Sequence, residues 1–150
     1  MLILKNQLKF LWAALGLLAV SAVSIMILPL YGLSVNSPVI IPLFVGTLLL
    51  WIGLIGGYTL LALFYRKNKN VKKEGKIGVI SFFRNPYGAA ADVVLIMSVA
   101  LTIVLGILVR DGEWLFSVLF GLVFISANCH CVCNGRVFNT IIQKNKEIGK

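Results

Sequence analysis

Acidic side chains are scarce in this chain: five Asp or Glu stand against fourteen Lys or Arg among 150 residues, and there is a single histidine. From Phe10 to Tyr65 charge is missing altogether. With 59% hydrophobic and only 13% charged residues, the composition lies far outside that of soluble globular domains. Catalytic signatures are missing too. There is no Gly-rich phosphate loop, no GxSxG and no HExxH, so hydrolase and transferase readings have nothing to rest on. No CxxC pair occurs, and cysteines expected on the reducing cytoplasmic side rarely keep a disulfide, which removes a thiol oxidase from consideration. The expectation is a protein that is not an enzyme and needs no cofactor. No small-residue cleavage site follows the first apolar run, so the first helix is expected to stay in the protein.

What is present is long apolar sequence. A bilayer core about 30 Å thick takes roughly 20 apolar residues per helix, so the 56 uncharged residues from Phe10 to Tyr65 suit two crossings with a turn between. The stretch LPLYGLSVNSPVIIP, with Pro29, Gly32, Asn36, Ser37, Pro38 and Pro42, supplies that turn. A polar loop RKNKNVKKEGK follows, in which six of eleven residues are Lys or Arg. Asn85 and Pro86 then read as the cap and first position of a third helix. RDGE, residues 110–113, turns the chain into a fourth helix that Gly135 stops. The fold class is therefore all-α: an integral membrane four-helix bundle in one domain over residues 1–150, with helices near 10–30, 39–65, 86–109 and 114–133. In the last stretch, Val137, Phe138, Ile141 and Ile142 recur at helical spacing, which predicts a short amphipathic helix lying on the membrane surface.

The basic residues predict the orientation. Lys5 and Lys9 precede the first helix; Arg66, Lys67, Lys69, Lys72, Lys73, Lys76 and Arg84 lie between the second and third; Arg136, Lys144, Lys146 and Lys150 follow the fourth. Only Arg110 falls on the other side, so both termini and the basic loop are expected in the cytoplasm, with the protein in the cell membrane. The net charge of +9 then points to anionic lipid headgroups rather than to nucleic acid, for which no motif is present.

Lipid gives helices no hydrophobic drive to associate, so close approach depends on small residues. Gly46, Gly53 and Gly57 form one stripe on the second helix and face the small residues of the first, or else a membrane partner or a second copy of the chain. Trp12 and Trp114 sit at interface positions. Trp51, in mid-helix, needs a partner for its indole N–H and hints at a cavity.

The segment SANCHCVCNGR, residues 126–136, holds all three cysteines and the histidine. In an antiparallel hairpin of the last two spans, Asp92 lies level with Cys131 and within one turn of His130. An intramembrane acid is a functional suspect by default. Three readings compete for the layer of Asp92, Asn128, His130 and Asn134. It can be a polar clamp, with the cysteines as small hydrophobes. It can be a metal site on Cys129, His130 and Cys133, three ligands where a structural zinc wants four. Or it can be a proton-coupled or ligand-binding site built on the carboxylate and imidazole. Function follows the same division. One expectation is an accessory subunit or an immunity-type protein against a membrane-active toxin or peptide, acting by helix–helix contact with a membrane partner. The alternatives are a small proton-coupled transporter or channel using Asp92 and His130, and a metal-dependent membrane enzyme.

Overall fold

The structure, a computed structural model, describes residues 2–32, 40–69, 81–108 and 113–148. Those residues form five helices: α1 (Leu2–Gly32), α2 (Ile40–Lys67), α3 (Pro86–Leu108), α4 (Glu113–Cys133) and α5 (Arg136–Ile148). The first four are each long and apolar enough to cross a bilayer. The expected inter-helix turns, Lys72, Lys73, Lys76 and Arg110 fall outside the described residues.

Helix boundaries follow the prolines, with one exception. Pro42 sits in the first turn of α2 and Pro86 opens α3, both positions where the missing N–H would have had no intrahelical acceptor. The exception is Pro29, which the sequence reading places in the turn after a helix near 10–30; α1 instead runs through it to Gly32. Near a helix end proline removes a single hydrogen bond, whereas unwinding in hydrocarbon would strand several backbone groups.

Small residues set the packing. On α2, a β-carbon at Gly53 would lie 2.5 Å from the Leu17 carbonyl oxygen, and one at Gly57 would lie 2.7 Å from Leu18 Cγ, so both glycines are pressed onto α1. Gly46 abuts Leu28. The glycine stripe is thus occupied by α1. Ser21, fully buried on α1, adds an interhelical bond by donating to the Leu50 carbonyl at 2.9 Å. The α1–α4 crossing depends on Gly121, where a β-carbon would meet Met26 and the Ala22 carbonyl oxygen at 2.9 Å. The pair α1 and α4 is central, with α2 packed on α1 and α3 on α4. Among the described residues α2 and α3 share no substantial packing face.

The core lies at one end. Leu11, Ala14, Leu15 and Leu18 of α1 meet Leu61 and Phe64 of α2, Val132 and Cys133 of α4, and Val137, Phe138 and Ile141 of α5. The last three belong to the apolar face that the sequence reading gives to this helix, and it packs on the bundle end. The amphipathic face of α5 turns onto the bundle end because α1, α2 and α4 together offer a closer-packed apolar surface than lipid does. Phe138 stacks edge-on with Trp12 and Tyr87, at ring-centroid distances of 6.1 and 6.0 Å, tying α5 to α1 and α3. Towards the opposite end no described residue of 25–29, 41–52, 99–108 or 114–118 is buried.

Trp51 also departs from expectation. It is 57% exposed on the outer side of α2 and stands outside the groove that Val45, Gly46 and Leu49 line on the same helix. Gly53 faces α1, and a residue two positions away on a helix points to the other side.

Candidate functional site

The polar residues of α3 and α4 converge at the basic end, where the segment 81–85 runs into α3. Asn85 caps α3: its Oδ1 accepts from the Gly88 amide at 2.8 Å, and its carbonyl accepts from the Ala89 amide at 2.8 Å. The cap orients the second turn of α3 so that Asp92 points at α4. There Asp92 is fully buried.

Its carboxylate meets only groups that can donate. Oδ2 accepts from the Phe83 amide at 2.6 Å, and Oδ1 accepts from Asn134 Nδ2 at 2.8 Å. His130 Nδ1 lies 2.5 Å from Oδ1, an ion-pair contact when the imidazole is protonated. A carboxylate there takes three donors, so Nδ1 is committed to it and Nε2 alone is left for anything outside. Phe82 covers the imidazole, its ring centroid 4.6 Å away at 39°.

Asn134 completes the clamp from the α4–α5 junction. Its Oδ1 accepts from the Arg84 amide at 3.2 Å while its Nδ2 serves Asp92. Only glycine fits beneath it, because a β-carbon at Gly88 would lie 2.8 Å from Asn134 Cγ. A second strand of bonds runs alongside. Asn85 Nδ2 donates to the Cys133 carbonyl at 2.7 Å and to Asn139 Oδ1 at 3.0 Å, and Asn139 Nδ2 donates to the Gly135 carbonyl at 3.0 Å. Segment 81–85, α3, α4 and α5 are joined by these side chains, and no buried side-chain nitrogen or oxygen among the described residues lacks a partner.

One residue in the clamp is strained. Phe83 has φ 55°, the left-handed region, which costs a bulky side chain about 1–2 kcal/mol. The strained conformation is the one that turns its N–H to Asp92.

The structure brings together Asp92, His130 and Asn134 and leaves Asn128 out. Asn128 Oδ1 accepts from Tyr58 at 3.1 Å and its Nδ2 donates to the Phe124 carbonyl at 2.8 Å, so it links α4 to α2. The cysteines do not join the imidazole. Cys133 lies in the apolar core with Cys129 packed against it, Cys131 is exposed, and His130 is turned towards Asp92. No three His, Cys, Asp or Glu among the described residues could hold a metal ion, so the Cys129, His130 and Cys133 set does not converge. No family model matches the chain, and no curated protein or solved structure pairs with it.

Sequence reasoning missed the backbone donors of Phe83 and Arg84, the second role of Asn85, and Gly88 and Asn139. Three asparagines at 85, 134 and 139, all beside helix ends, were the available sign, since asparagine at such places bonds backbone.

Proposed function

We propose that this is a non-enzymatic membrane protein that acts by helix-to-helix binding of a membrane partner through the outer face of α2. Trp51 carries the reading. It lies three residues from the middle of the span Ile41–Lys67, about 4.5 Å along the axis, and points away from the rest of the chain. Its indole N–H makes no hydrogen bond among the described residues. Hydrocarbon supplies no acceptor, and an amphipathic ring is otherwise favoured at the interface rather than at depth. A neighbouring helix that offers an acceptor removes that cost. Phe44, Leu48 and Ile55 stand exposed beside it at spacings of three and four, the pattern of a helix-packing seam.

The enclosure of Asp92 supports the same reading. A transporter coupled through Asp92 and His130 needs the carboxylate to meet water or solute during its cycle, whereas here it is 0% exposed and its two oxygens are bonded to Phe83, His130 and Asn134. The acid holds the fold together. The end carrying Lys9, Arg66, Lys67, Lys69, Arg84, Arg136 and Lys144 faces the cytoplasm of a cell membrane in this proposal, and an accessory subunit or an immunity-type protein fits it equally.

Photo-crosslinking in cells tests it. A photoreactive phenylalanine analogue at position 51 is expected to trap one discrete protein, while the same probe at Ile103 on α3 traps lipid alone. Lipid adducts alone at position 51, together with proton flux in vesicles that Asp92→Asn abolishes, would establish the transporter instead.

A further inference from the structure

At the basic end of the α1–α2 seam lies a groove of about 450 Å³ lined by Phe10, Leu63, Phe64, Arg66, Lys67 and Asn68. Its lining changes character along its length. Phe10 and Leu63 are exposed hydrophobics within their spans, and Arg66 and Lys67 are the last two residues of α2. The groove therefore passes from acyl depth to headgroup depth within one helical turn.

The polar groups at its mouth are sorted by charge. Carbonyl oxygens at a helix C-terminus normally repel an anion, but here Asn68 donates both its backbone N–H, at 3.1 Å, and its Nδ2, at 2.8 Å, to the Phe64 carbonyl. The Arg66 carbonyl accepts from the Lys69 amide. With those two oxygens engaged, the formal charges at the mouth are the two cations. No acid among the described residues pairs with Arg66 or Lys67. Lys67 lies over the Phe10 ring, its Nζ 5.7 Å from the centroid, which holds the ammonium above the apolar floor.

We propose that this groove binds one anionic phospholipid, its phosphate held by Arg66 and Lys67 and an acyl chain lying against Phe10 and Leu63. The arginine fork suits a phosphate through paired donors, and the lysine adds a point charge. The apolar floor makes a diacyl lipid the occupant rather than a free anion. Nothing in this depends on a partner protein at α2's outer face, since Trp51 lies several turns away.

Native mass spectrometry of the full chain in mild detergent, titrated with phosphatidylglycerol or phosphatidylcholine of matched acyl chains, tests the site. The first phosphatidylglycerol is expected to bind at least tenfold more tightly than phosphatidylcholine. The double variant Arg66→Gln with Lys67→Gln should lose about 30-fold in phosphatidylglycerol affinity, two charges at the usual interfacial contribution. Lys144→Gln, removing an exposed charge on α5, should change it less than twofold, and the charge-conserving Arg66→Lys with Lys67→Arg should keep the preference. Equal binding of the two lipids, an equal loss in Lys144→Gln, or displacement of the lipid by millimolar inorganic phosphate would each overturn the proposal: the first by removing charge recognition, the second by showing diffuse surface attraction, the third by showing a free-anion site.

Discussion

Removing the Asp92 carboxylate tests how the bundle's basic end is held. Asp92→Ala deletes the acceptor of three donors: the Phe83 amide, Asn134 Nδ2 and His130 Nδ1. A buried donor left without a partner costs about 1–3 kcal/mol. His130 is 14% exposed and can turn an edge to the interface, which leaves two donors stranded. In membrane proteins the unfolded state also finds partners, and measured side-chain bonds average about 0.6 kcal/mol, so the lower half of that range applies. The expected loss is about 2–4 kcal/mol. Because Asn134 works through the same carboxylate, Asp92→Ala and Asn134→Ala should fall short of additivity by about 1 kcal/mol, within the usual range for residues in one network. Equilibrium unfolding in mixed micelles of dodecyl maltoside and dodecyl sulfate, followed by far-UV circular dichroism, measures both quantities. A loss under about 0.5 kcal/mol with full additivity would mean that the clamp contributes nothing to stability and would refute the reasoning.

Gly53→Leu should part α1 from α2, since even a β-carbon there collides with Leu17 O and the Ser21 side chain; the expected cost is about 3 kcal/mol or more by the same unfolding assay, at the upper end for overpacking. Phe83→Gly should stabilise the protein by up to about 1 kcal/mol, because glycine accepts φ 55° without a steric penalty while the N–H to Asp92 is retained. Thiol labelling with a maleimide should modify Cys131 in the folded protein well before Cys133, which reacts only on unfolding; equal rates would place Cys133 outside the core.

The spans and the Asp92–His130 pairing were legible because each follows from counting. Apolar length sets how many helices cross, and the short turn read at 110–113 sets an antiparallel register that falls one residue from the observed one. What depended on helix azimuth was less legible. Asn128 was grouped with His130 although two positions on a helix point to different sides, and it bonds Tyr58 instead. The same rule, applied to Gly53, would have turned Trp51 outward. Gly121 gave no stripe and no motif, and only the approach of Ala22 and Met26 shows why it is small. The docking of α5 was hidden for a different reason. An apolar face of that width suits lipid and protein alike, and the choice rests in large part on α1 and α2, more than 60 residues away in sequence.

The uneven distribution of buried residues gives the molecule a closely packed root at its basic end and a more loosely packed far end. Backbone amides near Leu11, Val132 and Phe138 should be the last to exchange with deuterium, and those near Val45, Ile103 and Phe116 among the first. A bilayer of altered thickness should meet its least resistance at that far end, with adjustment to the surrounding lipid there while the root keeps its shape.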